Sequence, residues 1–243
     1  MALNDVDIIF KDGGLGIVDS GTRLIALLGL CSGAADNSVN LLASKNDVSS
    51  ILGYGALADA AAFHLASTGA PILAVPINKS VNAIYSAVVK TGTGSAPLAV
   101  AGNDAFADFE IIVTITRDGT TLAANTAAFT YSLDNGDTQS AEVAMPVSGV
   151  FLIPNTGITL TFTNGAPPSF VTGTFYTFSV TGASFALVDV TAAIAALLAD
   201  ARIGTVEFLH LIGKADATLA AGIEALLEDA ETAHLYLWCL LNT

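Results

Sequence analysis

Few side chains in this chain are equipped for chemistry, and they are scattered. The imidazoles are His64, His210 and His234, and the thiols are Cys31 and Cys239. A general base must lie within hydrogen-bond reach of the group it serves, and usually leans on a second partner. No Ser, Cys or carboxylate stands at a recognisable spacing from any of the three histidines. His64 falls beside the apolar face of a helical run, His210 sits among Phe208, Leu209 and Leu211, and His234 opens a last apolar run. All three read as structural. The cysteines lie near opposite ends, each in an apolar run, as buried free thiols do. A disulfide between them would require the two segments to be neighbours.

The other chemical motifs fail on their surroundings. Asp134 and Asp137 suggest calcium, but Asn135-Gly136 between them makes a hairpin turn the simpler reading. Gly13-Gly14-Leu15-Gly16 resembles a phosphate loop only superficially. No GxGxxG is completed, no Lys-Ser/Thr pair follows, and a strand rather than a helix comes next. Neither a nucleophile elbow nor metal-ligand spacing occurs. The sequence therefore predicts no catalytic residue, no metal and no cofactor, and the chain is read as not an enzyme.

Composition points to assembly instead. Of 243 residues, 53% are hydrophobic and only 12% charged, about half the usual charged share. So few charges leave too little polar cover for a wholly solvated surface, and some neutral area should be covered by a partner. The formal net charge of −14, from 22 acidic and 8 basic residues, repels phosphate backbones and anionic headgroups. With the basic residues scattered, direct nucleic-acid binding is not expected. Asp5, Asp7, Lys11 and Asp12 interrupt any signal-peptide core. Residues 183–201 are the most membrane-like, but Asp189 and Asp200 and an amphipathic spacing favour a helix over a membrane span.

Alternation and helical spacing outline the elements. Val6, Ile8 and Phe10 share one face of a short N-terminal strand, and Gly13, Gly14 and Gly16 make a hinge behind it. Such a tethered strand suits pairing with an open sheet edge, whether its own or another copy's. Residues 23–32 form an apolar run typical of a strand buried on both faces. Next come a short helix from 45 with Asn46 or Asp47 as N-cap, and a helix over 56–68 read as buried on several sides. A strand over 70–76 follows. Thr91-Gly92-Thr93-Gly94-Ser95 reads as a linker. Beyond it, strands are predicted near 109–116, 127–133, 141–145, 150–153, 158–163 and 174–180, with Asn135-Gly136 as a tight turn. Helices then begin near 187 and at Asp216, around a strand over 205–213, and a last strand runs from His234 to Leu241. Trp238 is read as a core residue. The predicted fold is an α/β core, a mostly parallel sheet with flanking helices, interrupted by an inserted all-β sandwich or barrel-like domain. Its parts are an arm and joint over 1–16, core over 17–94, insert over 95–182 and core over 183–243.

Several passages carry a family resemblance. They are Val6-Asp7-Ile8-Ile9-Phe10-Lys11-Asp12-Gly13-Gly14, Ser44-Lys45-Asn46-Asp47-Val48, Leu52-Gly53-Tyr54-Gly55-Ala56-Leu57, Pro71-Ile72-Leu73-Ala74-Val75-Pro76, and the strand Phe129-Thr130-Tyr131-Ser132-Leu133 with its turn. In these the chain resembles contractile-tail sheath proteins of myovirus-type bacteriophages and related injection machines. The resemblance implies a virion tail subunit, assembled in the host cytoplasm. It would stack as rings around an inner tube, exchange strands with its copies, and meet baseplate and tail terminator proteins. Sheath proteins normally continue into further core and a C-terminal arm, so only the N-terminal arm finds its match in this sequence. Two other readings stay open: a binding module recognising carbohydrate or protein through the β region, and an α/β enzyme with a β lid.

Overall fold

The computed structural model describes residues 23–242. The elements in chain order begin with β1 (Leu24–Gly29), β2 (Asn40–Leu42), α1 (Lys45–Asp47), α2 (Ala56–Thr68) and β3 (Ile72–Pro76). Nine strands follow: β4 (Ile84–Tyr85), β5 (Val89–Thr91), β6 (Leu98–Ala101), β7 (Phe109–Arg117), β8 (Ala128–Ser132), β9 (Val143–Ala144), β10 (Val150–Leu152), β11 (Thr159–Phe162) and β12 (Phe175–Thr181). The chain then forms α3 (Leu187–Leu198), β13 (Val206–Lys214), α4 (Ala217–Thr232) and β14 (Trp238–Asn242). The result is a mixed α/β fold.

One sheet has the order β14-β13-β1-β3-β2. Its β14–β13, β13–β1 and β1–β3 pairings are parallel, and the short β2 is antiparallel to β3. Strands β1 and β3 read as unbroken apolar runs because helices cover both faces of the sheet. On one face Leu28, Leu73, Leu209 and Leu211 meet Val190, Ile194 and Leu197 of α3 and Leu219 and Ile223 of α4. On the other, Leu27, Ile72 and Ala74 meet Leu57, Ala61 and Leu65 of α2. Each fully buried Leu, Ile or Val among them stabilises the fold by about 1.5–3 kcal/mol.

Residues between β3 and α3 build two further sheets, in the orders β4-β12-β7-β8-β9, with β5 also on β12, and β10-β11-β6. Here the period is two. Ile111, Val113 and Ile115 point inward with Tyr176, Phe178, Val180 and Phe129, and meet Leu98, Leu160 and Phe162 of the three-stranded sheet. Phe129 packs edge-on against Phe151 at 5.3 Å between centroids, a favoured aromatic geometry. Tyr176 keeps its hydroxyl buried by donating to Ala96 O at 2.7 Å.

Several local readings need correction. The cap of α1 is Ser44, whose Oγ accepts from Asp47 N–H, while the Asp47 carboxylate accepts from Ser44 N–H at 2.8 Å. This reciprocal box places Asp47 inside the helix. Helix α2 is buried on one side only, since Phe63 is 76% exposed. Asn135 and Gly136 do adopt positive φ, but they do not close a two-residue hairpin. Asn135 N–H donates to Glu110 O across the sheet, and the chain returns to Tyr131 O only at Ser140 N–H. Residues 91–95 are not a free linker, because β4 and β5 precede them yet pair with β12. Gly94 N–H donates to Thr174 Oγ1 at 2.9 Å. Strand β6 was hidden by its alanines, which carry little strand propensity.

Candidate functional site

Val6, Ile8 and Phe10 of the N-terminal strand, and the hinge glycines Gly13, Gly14 and Gly16, lie outside the described residues. The histidines sit on separate elements. His64 is half-buried on α2, His210 lies in β13 between Leu27 of β1 and Leu240 of β14, and His234 is exposed in the turn before β14. Burial lowers the His210 pKa, which keeps its ring neutral at pH 7. Neither cysteine is bonded to the other. Burial pushes the Cys239 thiol up to about 11 and raises Cys31 as well. Such thiols are poor nucleophiles at neutral pH.

Among the described residues no three His, Cys, Asp or Glu side chains gather as metal ligands. Asp134 is occupied otherwise: Ser132 Oγ and Thr138 N–H donate to Oδ1, and Thr138 Oγ1 donates to Oδ2 at 2.6 Å. Those hydrogen bonds, the one from Ser132 first, hold its pKa down at about 2. No described helix is long and apolar enough to cross a membrane; the membrane-like stretch is the 12-residue α3.

What the described residues do assemble is a sheet margin at β14 with no further strand of theirs beside it. Strand β14 pairs with β13 on one side and is the last strand of its sheet. Tyr236 just before the strand and Trp238 and Leu240 within it are 57%, 78% and 54% exposed, while Leu237, Cys239 and Leu241 pack inward on the core. Trp238 is therefore a surface residue, contrary to the reading of its sequence. The alternation of Tyr, Trp and Leu with inward residues was the signal that could have shown this. An open strand carrying an apolar row invites pairing with another chain.

The fold is that of a mixed α/β protein. Comparison places it further. Residues 3–242 match the family described as DUF2586, N-terminal domain, and the chain belongs to that family. No curated protein matches it. Among solved structures it is similar to a sheath tail protein from Listeria innocua, at 12% identity and a TM-score of 0.38. The match covers 93% of this chain and 48% of that one. It is also similar to a sheath tail protein from Desulfitobacterium hafniense, at 13% identity and a TM-score of 0.39, over 90% of this chain and 48% of that one. The chain thus spans about half the length of these two proteins.

Proposed function

We propose that this chain is a structural subunit of a contractile phage tail sheath, built as an α/β core with an inserted β domain. Copies assemble as stacked rings around an inner tail tube and rearrange on contraction, and the stack ends at baseplate and tail terminator proteins. The role is mechanical, with no bond-making chemistry, no cofactor, no nucleic-acid contact and no membrane insertion. The observation that carries the reading is the open β14 edge with its outward Tyr236, Trp238 and Leu240, alongside the arm motif Val6 to Phe10 and its glycines. The arm strand of one copy adds to the β14 edge of the next. Backbone hydrogen bonds then tie neighbours together whatever the side chains, while Gly13, Gly14 and Gly16 let the bodies turn. A contact between two different surfaces of the same chain closes into rings or extends into helices, as a sheath requires.

Electron microscopy of native particles labelled with an antibody to this chain tests the reading. Label along the length of a contractile tail is expected. Label confined to another part of the particle, or absent from it, would overturn it.

A further inference from the structure

The helix-flanked sheet and the paired β-sheets are joined by only two crossing segments, residues 77–83 and 182–186. These pair with each other at the Val81–Ser184 bridge, Val81 N–H to Ser184 O and Ser184 N–H to Val81 O, both 3.0 Å, and Ser80 N–H also donates to Ser184 O at 3.2 Å. A tie this short, outside any helix or strand, is the kind of connection hinges use. On the sheet side the hinge is anchored by Asn78 Nδ2, which donates to Asp189 Oδ1 at 2.8 Å.

A third piece of chain, residues 102–108 between β6 and β7, also touches both bodies. Its adjacent residues Ala105 and Phe106 belong to opposite bodies: Ala105 is fully buried in the core of the paired β-sheets, and Phe106 packs on the core of the helix-flanked sheet. Phe106 also lies against Tyr54, with centroids 6.0 Å apart. Gly55 allows this approach, because a side chain there would meet Phe106 Cβ at 3.1 Å. Polar links flank the wedge. Lys79 Nζ reaches Asp104 at 2.6 Å and Asn103 O at 3.0 Å, and Lys214 Nζ reaches Asp108 at 2.9 Å. Asp108 also accepts from Gly182 N–H, and Ala105 O from Ala183 N–H.

The wedge is poorly backed. Phe106 and Ala107 line two separate cavities, one of about 700 Å³ at the carboxyl ends of β1 and β13, the other of about 270 Å³ beside Tyr54 and Asn155. Both are clefts open to solvent rather than enclosed voids. The larger one lies where strand order reverses between β1 and β13, the place where open α/β sheets usually leave a crevice. Here the chain's own loop projects into it. Exposed ion pairs such as Lys214–Asp108 contribute little individually, so the Phe106 contact carries most of the restraint.

We propose that residues 102–108 are a releasable clasp: Phe106, seated in the crevice at the ends of β1 and β13, fixes the angle between the two bodies, and its withdrawal lets them pivot about the Val81–Ser184 bridge. The open clefts on either side give the ring room to leave without unfolding either core. This device stands whether or not the chain assembles as a sheath.

Spin labels at Ala66→Cys on α2 and Val150→Cys on β10, in a Cys31→Ala/Cys239→Ala background, report the angle through their distance distribution. The parent protein should give one narrow distance. Phe106→Ala should at least double the width or add a second population, while the far-UV spectrum stays that of the parent. The double variant Lys79→Ala/Lys214→Ala, which removes no core side chain, should broaden the distribution less but in the same sense. An unchanged narrow distance in a folded Phe106→Ala protein overturns the clasp. Should Phe106→Ala fail to fold, Phe106→Leu, which keeps an apolar side chain but loses the ring, takes its place, and an unchanged narrow distance in that folded variant overturns the clasp.

Discussion

Asp134 shows how a residue that looks like a ligand is used as a joint. It sits in the β8–β9 loop and collects donors from Ser132 and Thr138, and these hold its carboxyl at about 2, below the ordinary 3.8. A carboxyl whose folded pKa is depressed adds stability that is fully present above its unfolded value and is lost as pH falls through its folded one. Its contribution should therefore fade from about pH 4 down to about pH 2. Asp134→Asn should flatten that part of the pH–stability curve, as followed by chemical denaturation at each pH. A variant whose acid limb keeps the parent's slope would show that the loop does not depend on the charge. Asp200 is lowered to about 2 as well, by Arg202, so some acid sensitivity remains in either case.

At the scale of elements, a side chain's worth depends on which side of its strand or helix it occupies. Leu57 on α2 is fully buried, and Leu57→Ala should cost about 2–5 kcal/mol through lost transfer and the cavity left behind. Trp238 and Leu240 are large and apolar but face outward, so Trp238→Ser/Leu240→Ser should change stability little, as surface substitutions do. It should instead reduce self-association in sedimentation velocity. A denaturation midpoint that drops as far for this pair as for Leu57→Ala would place them in a core. The sequence made the long periodic elements legible: α2, α3, α4, and the strands β7, β8, β11, β12 and β13 announce themselves by spacing. It was silent where a contact comes from far along the chain. Nothing near residues 84–91 says that they pair with β12, nor does the spacing around Phe106 reveal that it crosses to the other core. Asn135-Gly136 gave the right backbone signs but the wrong turn, because its partner is Glu110 of β7 rather than the neighbouring strand. Trp238 was misplaced because an apolar run reads the same whether both of its faces are covered or one is left open.

For the whole molecule, low charge and the exposed apolar residues at β14, the last strand of its sheet among the described residues, point the same way as the proposal drawn from the sequence motif Val6 to Phe10. A chain with 12% charged residues and a net charge of −14 gains nothing from long-range attraction between copies, which repel one another. In the proposed assembly, association would come from short-range backbone pairing and apolar contact. The most direct measurement uses two batches of the chain, both Cys31→Ala/Cys239→Ala, one carrying Ile8→Cys and the other Leu240→Cys, with different tags. They are mixed under assembly conditions and oxidised mildly. The account predicts a disulfide-linked product carrying both tags, since an arm paired to a neighbour's β14 brings the two sulfurs within bonding range. If no mixed product forms, while a single chain bearing both cysteines closes the bond internally, the arm belongs to its own body and the account is contradicted.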